Sequence, residues 1–273
     1  MKISLIGDLH FAKLKNSTKQ SEEAKFDFYN SFMNHFFNNS SDFFVSLGDL
    51  TNFGYQEEID GIFNIIRSYD KEFYQVLGNH DLYASTKSEY LQAARQDEYF
   101  SFEEKGTVFC FLNSAKEQDF EDWGGEISQE QLVWFEKVIL QSEGKNLIVF
   151  AHHPIYNTTA RSNLDKLSIT PTIDIWSILS KRTTPAVYIN GHNHENSIVT
   201  NGNWTFIQIA SCIDDSSWRN IEVADNQLIL SYHKMEHPVL KESIPLFVHN
   251  MDHFKLYETP FGRESDRATI INL

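Results

Sequence analysis

Short apolar runs recur along the chain, and most stop abruptly at a glycine-led or polar loop. The runs are ISLI (3–6), FFVSL (43–47), EFYQVL (72–77), VFCFLN (108–113), LIVFA (147–151) and AVYIN (186–190). Each is rich in Val, Ile, Phe or Tyr, which predicts buried strands. Between them, apolar residues recur at three- and four-residue steps, which predicts helices. Residues 22–38 carry Phe26, Tyr29, Met33, Phe36 and Phe37 on one face. Residues 56–69 carry Ile59, Ile62, Phe63 and Ile66. Ser128 followed by Gln131 reads as a capping box opening a third helix with Leu132, Phe135 and Ile139 inward. Thr170 and Pro171 match the N-cap and first-turn rule for a fourth.

Strand–helix alternation of this kind predicts an α/β sandwich with buried strands. After residue 195 the rhythm changes. SIVTN, WTFIQIA, WRNIEVA and LILSYH follow closely with GN and DN turns between them, which predicts antiparallel strands finishing a sheet with no intervening helix. One domain is expected over residues 1–234, with 235–273 as a C-terminal extension. That extension is apolar and aromatic, and it either covers the sheet or forms a subunit contact in a homo-oligomer.

Composition narrows the partners. The net charge is −15 and no run of Lys or Arg occurs, which argues against a nucleic-acid polymer and leaves small anions open. The opening MKISLIGDLH is interrupted by an Asp, so neither a signal peptide nor a membrane span is expected, and the chain is placed in the cytoplasm. Cys110 and Cys212 lie in apolar runs and read as buried thiols.

The chemistry collects at the strand ends. After the first strand comes Gly7-Asp8-Leu9-His10, and after the second Gly48-Asp49. The third is followed by Gly78-Asn79-His80-Asp81, the fifth by His152-His153-Pro154, and the sixth by Gly191-His192-Asn193-His194. In open α/β sheets, sites form beyond the carboxyl ends of the strands, so these loops should meet on one sheet edge. Taken singly, Asp8 and Asp49 could be helix caps, Asn79 a turn residue, and His10 or His152 loop packing. Two imidazoles behind a buried strand are harder to explain without a common partner. Oxygen and imidazole ligands without thiolate suit Fe, Mn or Zn, and there are too many for one tetrahedral ion. Glycines would let the backbone approach the ions, and the D-x-H and H-x-H spacings would put alternate side chains on one side of extended backbone. Two ions could hold a hydroxide between them, and the centre would keep roughly one positive charge to attract phosphate.

The ordered set DLH, GD, GNHD, AHHP and GHNH, from residue 8 to 194, resembles the calcineurin-like metallophosphoesterases. The resemblance implies a four-layer α/β/β/α sandwich of two mixed β-sheets flanked by helices, with a two-metal centre. It implies Asp8, His10 and His194 on the first ion, Asn79, His152 and His192 on the second, and Asp49 bridging. His80 would bind the substrate phosphate and protonate the leaving oxygen, with Asp81 orienting His80. His153 would line the pocket. GDLTNFG and GNHD are more similar to the bacterial phosphodiesterase branch, which includes cyclic-nucleotide phosphodiesterases, than to the protein Ser/Thr phosphatases. The implied activity is hydrolysis of a small phosphodiester or phosphomonoester, with a non-catalytic scaffold or a nuclease as rivals. No membrane partner is expected. Arg161 and Lys166 read as surface charges, Tyr156, Trp176 and Trp218 as packing, and 214–217 as a turn.

Overall fold

Alternation along the first strand sets the architecture. Ile3 and Leu5 face one way into an apolar layer. Ser4 and Ile6 face the other, where the Ser4 hydroxyl donates to Asn220 at 2.7 Å and Ile6 meets helices. A strand buried on both faces needs a layer on each side. The structure, a computed structural model, describes residues 1–224, 226–236 and 238–273. In chain order the elements are β1 (Lys2–Ile6), α1 (Lys19–Phe37), β2 (Phe43–Ser46), α2 (Gln56–Arg67), β3 (Phe73–Gln75), α3 (Lys87–Ala94), β4 (Phe100–Glu104) and β5 (Thr107–Phe111). There follow α4 (Gln129–Gln141), β6 (Asn146–Phe150), α5 (Trp176–Leu179), β7 (Ala186–Asn190), β8 (Ser197–Asn201) and β9 (Trp204–Gln208). The chain ends with α6 (Cys212–Asp215), β10 (Ser217–Ala224), β11 (Gln227–Lys234), α7 (Pro238–Phe247) and β12 (Thr269–Asn272).

Two six-stranded mixed sheets result, in the orders β12-β11-β10-β1-β2-β3 and β4-β5-β6-β7-β9-β8. The first is parallel across β1, β2 and β3, and the second across β5, β6, β7 and β9. Between the sheets lies a layer dense in phenylalanine, including Phe43, Phe109, Phe111 and Phe150. Phe43 and Phe109 meet edge to face at 5.2 Å across the sheets, a favoured aromatic geometry. α1, α2 and α7 cover the outer face of the first sheet, and α4 and α5 that of the second. This is the four-layer α/β/β/α sandwich.

Several local expectations need correction. Phe26 is 65% exposed, because the buried face of α1 runs through Phe28, Phe32 and Phe36, four apart, beside Tyr29, Met33 and Phe37. Ser128 does cap α4, but Gln131 does not reach back to it. Instead Gln131 brackets Asn113, accepting from its N–H and donating to its carbonyl, both at 2.8 Å. Thr170 and Pro171 open no helix: the Thr170 hydroxyl donates to the Gly125 carbonyl, and helix forms only at α5. The late strands finish both sheets, β8 and β9 the second and β10 and β11 the first, and α6 intervenes. Residues 238–272 supply α7, packed on α1, and β12, paired with β11.

One buried carboxylate joins the loops that follow β1 and β2. Glu58, on α2 and 1% exposed, accepts from Lys13 N–H at 2.7 Å, Phe53 N–H at 2.8 Å and Tyr55 N–H at 3.4 Å. Burial pushes its carboxyl up to about 7 against the pull of those N–H groups. Glu58→Ala strands these donors and is expected to cost about 3 kcal/mol, the order of losing charge-assisted hydrogen bonds at a buried site. Urea unfolding checks this. A midpoint lowered at unchanged slope is expected, with Glu58→Gln recovering part of it; an alanine variant as stable as the parent would contradict the role.

Candidate metal centre

Three of the ligand-bearing loops leave the first sheet, behind β1, β2 and β3, and two leave the second, behind β6 and β7. Their meeting place is therefore the edge shared by both sheets rather than the edge of one. Asp8, His10, Asp49, Asn79, His152 and His192 are buried there, and the His194 side chain is 15% exposed.

The backbone does not deliver them as extended chain. Asp8, His10, Asp49, His192 and His194 have φ of 40°, 48°, 48°, 71° and 56°, all in the left-handed region. Asp8 and His10 come to one group while His192 and His194 go to different ones, and all four reach the cluster through left-handed turns rather than continued strand alternation. Such strain persists only where the surroundings over-determine it. Three of the four strand-end glycines also act differently from expectation: each vacates room for a donor side chain from another loop. A Cβ on Gly48 would lie 2.5 Å from His152 Nδ1, on Gly78 2.1 Å from Asp49 Oδ1, and on Gly191 2.4 Å from Asp8 Oδ2.

Hydrogen bonds on the outer side of the cluster fix the imidazole tautomers. His152 Nδ1 donates to the Leu47 carbonyl at 2.8 Å, His192 Nε2 to the Lys166 carbonyl at 3.1 Å, and His194 Nδ1 to Asp214 Oδ2 at 2.7 Å. These oxygens only accept, so the proton sits on the outer nitrogen and the lone pair faces inward. Asn79 Nδ2 donates to the Tyr83 hydroxyl at 2.6 Å, which turns Oδ1 inward as well.

The inward atoms form two groups. His152 Nε2 lies 3.2 Å from His192 Nδ1, 3.1 Å from Asn79 Oδ1 and 3.3 Å from Asp49 Oδ2. His10 Nε2 lies 3.1 Å from His194 Nε2, which is 3.7 Å from Asp8 Oδ1. Asp49 Oδ2 is also 3.9 Å from His10 Nε2, so this one oxygen borders both groups. Lone pairs crowded at these distances in a dry site repel unless a cation or protons lie among them. The donor set of imidazole, carboxylate and amide oxygen fits a divalent ion in each group.

The protein alone bears this crowding unevenly. Burial raises the Asp8 carboxyl far above the usual range, although His194 and His152 oppose it. Burial would raise Asp49 too, but His152 and His80 outweigh it and hold that carboxyl well below normal. Burial and neighbouring imidazoles lower His10 and His192, the latter to about 3. His152 is pushed up to about 9, where Asp49 overcomes the cost of burial.

The Asp81–His80 pairing is a correction. Asp81 accepts from Thr51 N–H and Oγ1–H, Gly78 N–H and Tyr90 O–H at 2.8–2.9 Å, and it points into the fold. His80 is oriented by the Asn52 carbonyl, 2.6 Å from Nδ1, and its own N–H donates to Asp49 Oδ1 at 2.8 Å. Asp81 therefore braces the loop and does not touch the imidazole. His153 is also not a pocket wall. It is fully buried, with Nδ1 on Ser114 and Nε2 on the Trp123 carbonyl, both at 2.9 Å.

Above the centre opens a cleft of about 950 Å³, walled by Tyr83, Phe120 and Trp123 on one side and Arg161, His253 and Tyr257 among others. Arg161 is thus a wall residue: it donates to the Asn193 carbonyl at 2.8 Å and lies 4.5 Å over the Tyr257 ring. Lys166 instead donates to the Glu121 carbonyl and sits over Trp123. Trp176 packs on Phe206, Trp218 stacks on His233, and Tyr156 lies outside the cleft. Sequence reasoning missed Asp214, Ser114 and the whole 253–259 wall. The one readable signal for Asp214 was its place a few residues beyond a strand, near the expected edge of the site.

Gly78→Ala tests the cradle. The added carbon cannot coexist with Asp49 in place, so metal bound per chain is expected to fall several-fold, measured by elemental analysis after dialysis. Full metal content with Asp49 unmoved would contradict the reading.

The calcineurin-like phosphoesterase family model matches residues 1–196, the span that carries all five loops. A protein of Arcobacter nitrofigilis named "Probable glycerophosphodiester phosphodiesterase GpdQ" is 28% identical over 124 residues, 41% of this chain and 42% of that protein. The chain thus spans less than half of that relative's length. The serine/threonine-protein phosphatase CPPED1 of Mus musculus is 25% identical over 215 residues, 71% of this chain and 68% of that protein. Among solved structures, a dimetal phosphatase from Danio rerio superposes with a TM-score of 0.70 at 15% identity, covering 85% of this chain and 95% of the other. A purple acid phosphatase from yellow lupin gives 0.55 at 15% identity, covering 85% and 51%. Both likenesses concern the fold alone. Because the matched span is most of its length and includes every strand-end motif, the chain belongs to the calcineurin-like phosphoesterase family.

Proposed function

We propose that the chain is a two-metal phosphoesterase acting on a small phosphodiester, with cyclic nucleotides among the candidates, or on a phosphomonoester. The observation that carries this is the tautomer-locked cluster. His152, His192 and His194 each donate outward, and the inward lone pairs form two groups that share Asp49. Asp8, His10 and His194 would hold one ion, Asn79, His152 and His192 the other, and Asp49 both. Bound there, Fe, Mn or Zn would supply Lewis acidity for the phosphoryl oxygens and an ionised water nucleophile near neutral pH.

His80 holds the remaining chemical role. Its Nδ1 donates to the Asn52 carbonyl, so Nε2 is the nitrogen left to meet the ester. Burial lowers the His80 imidazole below its ordinary range, against the opposing charge of Asp49, which also accepts the His80 backbone N–H, so a proton held there is readily given up. A proton on Nε2 can then pass to the leaving oxygen. The cleft suits a small ester more than a polymer: its wall mixes the basic Arg161 and Lys255 with the acidic Glu121 and Glu258 and presents no basic track. That favours a phosphoesterase for small molecules over a nuclease. The relatives' names, a phosphodiesterase and a phosphatase, support ester hydrolysis and leave the choice between diester and monoester to experiment. Cys110 and Cys212 are free buried thiols, in keeping with the proposed cytoplasmic setting. No helix among the described residues is long and apolar enough to cross a membrane.

Purified protein with its metals measured, assayed on bis-p-nitrophenyl phosphate, p-nitrophenyl phosphate and cyclic nucleotides, tests the proposal. His80→Ala is expected to lower kcat by about 10²–10⁴-fold with metal content unchanged. Asp49→Ala is expected to lose metal and activity together. A fully metallated parent inert towards every ester would favour the scaffold reading instead.

A further inference from the structure

We infer that residues 252–259, outside the span matched to the family, are a working part of the His10–His194 half of the centre. Phe254 is a positioning residue for His10, and the Tyr257 backbone N–H positions Asp214 and, through it, His194. The inference rests on the two-metal reading above and adds a dependence that reading does not contain.

The four imidazoles are held in two ways. His152 and His192 are anchored by carbonyls of Leu47 and Lys166, both inside residues 1–196. His10 has no such anchor. Its Nδ1 is buried and has no hydrogen-bond partner among the described residues. Rings fix its orientation instead. Phe254 packs on it at 4.7 Å and 61°, and His80 at 4.6 Å and 90°. His194 adds a third ring at 5.1 Å, so without Phe254 the imidazole would keep its backbone position but lose one of the three rings that restrict its rotation, the only one of them that is not itself an imidazole of the cluster.

His194 depends on the same segment by another route. Its Nδ1 donates to Asp214 Oδ2, while Asp214 Oδ1 accepts the Tyr257 N–H at 2.8 Å. The segment is itself fastened to the loop behind β2, where Asn52 Nδ2 donates to the Asp252 carbonyl at 2.8 Å. One stretch of chain therefore holds both imidazoles of one half and neither of the other. The same stretch walls the cleft, so this half of the centre and the substrate wall share a support.

Metal binding in the absence of substrate tests this. The parent, Phe254→Ala, Phe254→Tyr and Asp214→Asn are dialysed against buffered Mn²⁺ or Zn²⁺, and bound metal is counted by elemental analysis and titration calorimetry. The parent is expected to bind about two ions; Phe254→Ala should keep about one, the other weakening about 10–100-fold, as when a ligand's supporting contact is removed. Asp214→Asn should weaken the same ion, and Phe254→Tyr should restore parental binding. If Phe254→Ala does not fold, Phe254→Leu keeps the apolar bulk without the ring and is expected to show the same selective loss. Two ions held with parental affinity in the folded ring-less variant, or equal weakening of both, would overturn the inference. A parent that binds no metal would overturn the two-metal reading itself, and this inference with it.

Discussion

The crowding of donor atoms around Asp49 Oδ2 is the constraint on which the rest of the structure turns. That oxygen lies 3.3 Å from His152 Nε2 and 3.9 Å from His10 Nε2, among side chains that are almost wholly buried. Left alone, such atoms would spread apart or take up protons. The surroundings prevent the spreading. Leu47, Lys166 and Asp214 hold the outer sides of three imidazoles, and the space beside Gly48, Gly78 and Gly191 is filled by the ligands themselves. The split titration of Asp8, Asp49, His152 and His192 is what remains of the conflict. A site whose donors are pre-positioned against their own repulsion loses little order when a cation enters, which favours tight binding.

Because Asp49 belongs to the first sheet and His152 to the second, the distance between them is set by how the sheets stack. The Phe-rich layer between the sheets is therefore linked to the site's geometry as well as to stability. Interiors packed at crystal-like density do not deform smoothly, so the separation of the two ligand groups is inherited from rings such as Phe43 and Phe109. Glu58 contributes on the outer side by tying together the loops that carry Asp8, His10 and Asp49.

Legibility in the sequence followed distance along the chain. The five strand-end clusters were readable because each is a local event: an apolar run, a sharp turn, then donors. The layers were readable because alternation and helical spacing are local too. What failed was pairing between neighbours that looked obliged to meet. Asp81 follows His80 directly, yet a 3₁₀ turn sends its carboxylate to Thr51 and Tyr90. Phe26 fits a stripe by count but lies off the face chosen by Phe28 and Phe32. Asp214, Ser114 and Phe254 were out of reach for another reason. They meet His194, His153 and His10 across 20, 39 and 244 positions, and no local pattern encodes such contacts.

The C-terminal segment separates the walls of the cleft from the motifs that carry the donors. The strand-end motifs fix the donors, and every one of them lies within residues 1–196. The walls come from elsewhere: Phe120 and Trp123 from a loop between β5 and α4, Arg161 from the loop after β6, and His253 and Tyr257 from beyond β11. Loops can change in length and composition without disturbing a packed scaffold, so substrate choice can drift while the centre stays fixed. Here that freedom is limited by contacts between the walls and the supports of the donors. Phe254 and Tyr257 touch the supports of His10 and His194, so a change in this wall cannot leave that half of the centre untouched. The wall at Phe120 and Trp123 is tied to the other half in the same way: Phe120 packs on Tyr83, whose hydroxyl accepts from Asn79, and Lys166, whose carbonyl anchors His192, lies over Trp123.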